Sequence, residues 1–124
     1  MTDDRKMLAA AWIALHHAKP GSSQYRENFW AFAALSVLCE ENPERCWDLI
    51  EEIRNLDGSD IMLANLAAGP LEELLVRHGA AMIERVEQRA REDARYRRLL
   101  GAMWQNDIPV ELWQRVKRVA GPSF

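Results

Sequence analysis

Side chains able to do chemistry are few in this chain, and they are scattered. His16, His17 and His78 are its only histidines, and Cys39 and Cys46 its only cysteines. Consecutive helical residues diverge by about 100°, so His16 and His17 are poorly placed to share one ion, and no Cys or carboxylate stands at a familiar ligand spacing from them. No metal and no cofactor is expected. Glu72 and Glu73 diverge in the same way, so they cannot face each other as a carboxylate pair from one helix, and a partner would have to come from another element. The sequence has no glycine-rich phosphate loop and no nucleophile elbow. Its serines (Ser22, Ser23, Ser36, Ser59, Ser123) suggest no triad, so no catalytic residue is assigned. One enzymatic reading survives, in which His78 works with Glu72 or Glu73 in a concave polar pocket.

Charge carries more signal. Residues 1–76 hold 6 basic and 13 acidic groups, and residues 77–124 hold 10 basic and 6 acidic, within an overall net charge of −3. The net sign argues against a general grip on nucleic acid or an anionic membrane. Arg85, Arg89, Arg91, Arg95, Arg97 and Arg98 are interleaved with Glu84, Glu87, Glu92 and Asp93, and Glu87 to Arg91 is the favourable i to i+4 order. A solvated, self-paired helix face is the ordinary reading. The functional one places Arg91, Arg95 and Arg98 on one face, facing phosphate or an acidic protein. Opposite in sign, Glu40, Glu41, Glu44, Asp48, Glu51 and Glu52 span a helix junction, and Glu44, Asp48, Glu51 and Glu52 are the candidates for meeting a basic partner.

The elements that position these groups are helices. No segment alternates polar and apolar residues with β-branched enrichment, whereas helical spacing recurs throughout the 124 residues, of which 48% are hydrophobic. The expectation is a single all-α domain over residues 1–124. It has seven or eight short helices, in a compact stacked-hairpin arrangement like a short α-solenoid or in an orthogonal bundle. The first helix runs over about residues 3–18, with Asp3 and Asp4 at its positive end and Met7, Leu8, Ala11, Trp12 and Leu15 on one face. A second, over about residues 24–41, is apolar nearly all round. Asn42-Pro43 caps and opens a third, and Asp57-Gly58-Ser59 is a turn. Gly69 then closes a short helix, Pro70 opens the next, and Gly79 sits where a left-handed cap is expected. A shift in the apolar stripe predicts a break near Asp93, and Pro109 opens a last helix carrying Val110, Leu112, Trp113, Val116 and Val119 inward. Trp12, Trp30, Trp47, Trp104 and Trp113 lie on or beside apolar stripes, which favours core anchoring over a stacking platform.

Cys39 and Cys46, flanked by Leu38 and Trp47, read as free buried thiols of a reducing compartment. The N-terminus has acids before its short apolar run and no small-residue cleavage site after it. The longest apolar stretch is about half of the ~20 residues a membrane span needs. A cytoplasmic protein without membrane contact is expected.

The run Ala68-Gly69-Pro70-Leu71-Glu72-Glu73-Leu74-Leu75, followed by His78-Gly79 and by Leu100 and Trp104, resembles a small bacterial family of unknown function. Its hallmark is that run, a His-Gly and a later Leu-x-x-x-Trp. The likeness covers about residues 60–115 and implies an all-α bacterial domain, with no activity to carry over. Ala94 stands where the family often has proline. Without chemistry, the run also reads as helix punctuation with leucines facing the core. The leading expectation is a non-enzymatic protein-interaction module, with a toxin-neutralising or accessory role as one version. A nucleic-acid-associated regulator using Arg91, Arg95 and Arg98 comes second, an enzyme third, and the oligomeric state is open.

Overall fold

The computed structural model describes residues 4–124. Among them there is no strand. The chain forms α1 (Asp4–His17), α2 (Ser23–Asn28), α3 (Trp30–Glu41), α4 (Pro43–Leu56), α5 (Asp60–Leu66), a π-helical turn (Ala67–Leu71), α6 (Glu72–Glu92), α7 (Ala94–Gly101) and α8 (Val110–Val119). Only the single residue Phe29, itself helical in φ and ψ, separates α2 from α3, and the π turn joins α5 to α6 without a gap. By continuous rods the described residues form six helices, slightly fewer than the spacing predicts. Asp3 and the N-terminal Met1-Thr2 lie outside the described residues.

Local chemistry explains most boundaries. The Asn42 side chain accepts from the Arg45 N–H with Pro43 in the first turn, and the Ser59 hydroxyl accepts from the Met62 N–H. Asp93 breaks the long helix as predicted and caps α7 through the Arg95 N–H. Gly21 turns the chain after α1 with φ of 83°, a conformation that favours glycine.

Two glycines behave differently from expectation. Gly69 does not end a helix. Pro70 lacks an N–H and its ring would clash with the carbonyl four residues back, so the helix widens into a π turn and continues into α6. Gly79 is not a left-handed cap either, because α6 runs on to Glu92 with a kink at His78 (φ −134°, ψ 26°). A side chain at Gly79 would collide with Leu112, so glycine here lets α8 lie close against α6.

α1, α3 and α4 pack together as one bundle, α6 spans from it to α7 and α8, and the core runs through both parts. Trp12, Leu35, Ile50, Leu66, Leu74 and Tyr96 are among its largest buried side chains. Several inward expectations fail. Met7, Ile61 and Val110 are exposed, and so are Trp30 and Trp104, the latter 73% accessible, whereas Trp12 and Trp47 are buried. The stripes on those helices are wider than the surface their neighbours cover. Cys39 and Cys46 are joined in a disulfide across the α3–α4 corner, their Cα atoms 5.0 Å apart, which overturns the free-thiol expectation. The Asn42-Pro43 corner folds α3 back beside α4 and brings the two residues together. No helix among the described residues is long and apolar enough to cross a membrane.

A buried charge network ties α4 to the α6–α7 junction. Arg54, only 3% exposed, donates to Glu51 at 2.6 and 2.9 Å and lies 3.0 Å from Asp93, with its guanidinium over the Tyr96 ring. Glu51 also accepts from Arg89 at 2.7 Å. Burial works against the charge on Arg54, but its bonds to Glu51 and Asp93 outweigh it and raise its pKa. Burial likewise opposes the Asp93 carboxylate, while the Arg95 N–H and the Arg54 guanidinium hold it below its ordinary pKa.

Candidate functional site

A pocket of about 240 Å³ opens where the π turn passes α1 and α3. Its existence follows from the widened turn, since Ala68, Gly69 and Pro70 form one wall in place of a regular helix surface. A Cβ on Gly69 would meet nothing within 4 Å. Trp12 and Leu35 form an apolar floor, and Phe32, half exposed, stands at the mouth.

Four polar side chains enter this apolar cup: His16, Ser36, Asn65 and Glu73. The His16 ring lies on Trp12, with centroids 3.8 Å apart, and its Nδ1 is 2.9 Å from the Trp12 carbonyl oxygen. A carbonyl can only accept, so Nδ1 carries the proton and Nε2 keeps its lone pair in the neutral ring. Burial pushes the His16 pKa down, against the raising effect of that hydrogen bond and with a smaller lowering from His17, which favours the neutral ring. Asn65 spends an amide N–H on the Ile61 carbonyl at 2.8 Å, which leaves its oxygen as an acceptor. Ser36 donates its hydroxyl to Glu73 at 3.3 Å. Glu73 is also approached by Arg77 at 3.6 Å. The cup is therefore lined mainly by acceptors: an imidazole nitrogen, an amide oxygen, a hydroxyl oxygen and a carboxylate, with the second Asn65 amide N–H as a donor among them.

Beside the pocket, α3 turns a second face outward. Trp30 and Val37 are each about half exposed, Ala33 is exposed between them, and Phe29 stacks on Phe32 at 5.5 Å at the helix start. The exposed carboxylates of Glu40 and Glu41 continue this surface at its C-terminal end. Glu40 has only a loose pairing with Arg77 at 3.8 Å, and Glu41 has no ion pair with another described residue.

The structure divides the residues singled out in the sequence. The run 68–75 does build a site, but through its backbone turn and Glu73, while Leu71, Leu74 and Leu75 are core. His78 hydrogen-bonds the Glu40 carbonyl oxygen at 2.9 Å, and Glu72 accepts from Asn106 at 2.7 Å. No hydrogen bond among the described residues joins His78 to Glu72 or Glu73, so the proposed His78–carboxylate group is not assembled. Of the acidic candidates, Glu44 pairs with Arg85, Glu51 with Arg54 and Arg89, and Glu52 with Arg5, while Asp48 is exposed. On the arginine face, Arg98 pairs with Asp60 and covers the Phe124 ring, Arg95 lies 3.9 Å from Asp93, and Arg91 is exposed. No group of three or more His, Cys, Asp or Glu side chains capable of holding a metal occurs among the described residues.

Sequence reasoning missed His16, Ser36 and Asn65. Each sits on a different helix, and only the fold brings them within one cavity. A signal existed for the pocket wall alone, because Gly-Pro inside a strongly helical context is where a widened turn forms.

Neither a curated protein nor a solved structure matches this chain. A family model does, over residues 18–123, nearly the whole chain and all of the pocket except its α1 wall. The chain belongs to DUF6869, a family of unknown function.

Proposed function

We propose that this protein is a non-enzymatic interaction module that binds another protein through the outer face of α3. One observation carries the reading: Trp30 and Val37 on the outward side of α3, with Phe29 at its start, are large apolar side chains each 45–50% exposed. Large aromatics anchored in a rigid helix lose little entropy on binding, and tryptophan is the residue most enriched among interface hot spots. Single exposed apolar residues are ordinary, but a contiguous set is not.

The partner fitting this face is a protein segment with apolar side chains followed by basic ones. The apolar stripe of Trp30, Ala33 and Val37 runs into Glu40, held only loosely by Arg77 at 3.8 Å, and Glu41, which has no ion pair with another described residue, so both can meet lysine or arginine. These two carboxylates are the N-terminal end of the acidic cluster expected from sequence, one turn before the candidates Glu44, Asp48, Glu51 and Glu52. Glu44, Glu51 and Glu52 are largely neutralised by arginines of the same chain, and Asp48 remains available beside them. A toxin-neutralising or accessory role is one form such binding takes.

The test is capture from lysate of the source organism at low and moderate salt, with mass spectrometry and nucleic-acid staining. Baits are the native chain, Trp30→Ser with Val37→Ser, and Glu40→Lys with Glu41→Lys. A single protein retained near stoichiometry by the native bait, lost from the first variant and weakened by the second, is expected. Retention indifferent to both variants refutes the α3 face. Nucleic acid released by salt, with no protein enriched, would move the assignment to Arg91, Arg95 and Arg98.

A further inference from the structure

We infer that the pocket at the π turn is a binding site for a small organic ammonium ion carrying a compact apolar or aromatic body. The inference concerns the pocket, which adjoins the protein-docking face of α3 where Phe29 stacks on Phe32, and it stands whether or not that face is used.

The chemistry follows from what lines the cup and what is missing from it. His16 offers Nε2 as an acceptor, because its Nδ1–H is committed to the Trp12 carbonyl. Asn65 offers Oδ1 as an acceptor beside its second amide N–H, the other N–H being committed to Ile61. Glu73 offers carboxylate lone pairs and Ser36 those of its hydroxyl oxygen, the Ser36 proton already pointing to Glu73. A ligand presenting acceptors could meet only the second Asn65 N–H and would leave the acceptors unsatisfied, whereas an R–NH3+ group brings three donors to them. A neutral donor satisfies part of the set; a cation also answers the charge of Glu73.

Arg77 is the competing cation. It lies 3.6 Å from Glu73, beyond good hydrogen-bond range, and is not among the residues lining this pocket. It weakens the pull of Glu73 without taking up its lone pairs. No other Lys or Arg lines the cup. Size sets the rest of the ligand. At about 240 Å³ the cavity is below the ~300–1,000 Å³ of drug-sized sites, so the body is small. Phe32, half exposed at the mouth, gives it an aromatic face, which attracts both an apolar ring and the adjoining ammonium, while Trp12 and Leu35 supply the apolar floor.

Phenethylammonium, phenethyl alcohol and phenylacetate share one body and differ in charge and donors, so they serve as probes. Titration of the native chain is followed by NMR at the Trp12 indole N–H and the Ser36 and Gly69 amides. Saturable shifts are expected with the ammonium, weaker binding with the alcohol, and none with the carboxylate at the same concentrations. Glu73→Gln, nearly isosteric at a half-buried position, should weaken the ammonium about tenfold, the size of one charge-assisted hydrogen bond, and bring it level with the alcohol. Ser36→Leu, which fills the cup, should remove binding altogether. Phenylacetate binding as tightly as phenethylammonium overturns the inference on the native chain alone, without reliance on a variant. So does an absence of saturable shifts with the ammonium, or ammonium affinity unchanged in Glu73→Gln.

Discussion

Replacing Arg54 by methionine removes a buried charge while keeping most of the apolar stem. The native guanidinium makes two hydrogen bonds to Glu51 and an ion pair to Asp93 at 3.0 Å, in a position 3% exposed. Breaking a buried ion pair by removing one partner costs roughly 3–5 kcal/mol, because the remaining charge is stranded. Here neither carboxylate is wholly stranded, since Glu51 keeps Arg89 at 2.7 Å and Asp93 keeps the Arg95 N–H at 2.8 Å. The expected loss is therefore at the lower end, about 3 kcal/mol, or a fall in Tm of roughly 10 °C for a domain of this size. Urea denaturation followed by far-ultraviolet circular dichroism measures it. Adding Glu51→Gln and Asp93→Asn to Arg54→Met should recover most of the loss, because no charge is then left buried and asparagine still caps α7. A single variant within about 0.5 kcal/mol of the native chain would refute the reasoning, as would a triple variant less stable than the single one.

Three other perturbations read different parts of the fold. Gly79→Ala should destabilise by about 1 kcal/mol, because overpacking against Leu112 exceeds the helix propensity gained; in a Leu112→Ala background the same change should become stabilising, a sign reversal readable by thermal denaturation. The Asp57 carboxyl, held at a pKa of about 2 first by its hydrogen bond to His17 and then by Ser59, has a folded pKa below its unfolded value. Its contribution is therefore intact above about pH 4 and lost as pH falls toward 2, so Asp57→Asn should flatten the decline in stability over that window. Reduction of Cys39–Cys46, which closes a loop across a separation of seven residues, should lower stability by roughly 2.5 kcal/mol, with no titratable thiol in the denatured, unreduced protein and two after reduction.

Where a boundary rests on one residue's local chemistry, it is readable in the sequence. Asn42-Pro43, Ser59 and Asp93 each satisfy an N–H at a helix start, and the helices begin there. Burial is less readable, because periodicity shows an apolar stripe but not the width of the neighbour that covers it. Trp12 and Trp30 have similar local surroundings, yet one is sealed beneath α3 and α4 and the other faces outward. Gly79 shows a further gap: its reason for being glycine is Leu112, thirty-three residues away in the chain. The cysteine pair was misread for a related cause, since a tight helical corner, and not a sequence spacing, brings the two sulfurs together.

The candidate pocket shows how a helix-punctuation motif becomes a site. A proline opening a new helix needs only a loop before it, whereas a proline carried inside a continuing helix forces the turn to widen and expose backbone and cavity beside it. The same residues, Gly69 and Pro70, serve either reading, and what decides between them is whether the helix carries on from α5 into α6. That continuity depends on the core on both sides of the turn, where Leu66, Ala67 and Leu71 are all fully buried and the turn itself packs on α3 and α4. Once the turn is held there, Glu73 falls one turn later on the side facing Ser36 of α3, and Trp12 and His16 of α1 close the opposite wall. The acceptor-rich lining is thus a consequence of packing two continuous rods across α1 and α3. Substitutions that straighten the turn, such as Pro70→Ala, should shrink the pocket while leaving the fold intact, and would show by loss of ligand-induced shifts at Trp12 whether the widened turn itself makes the site.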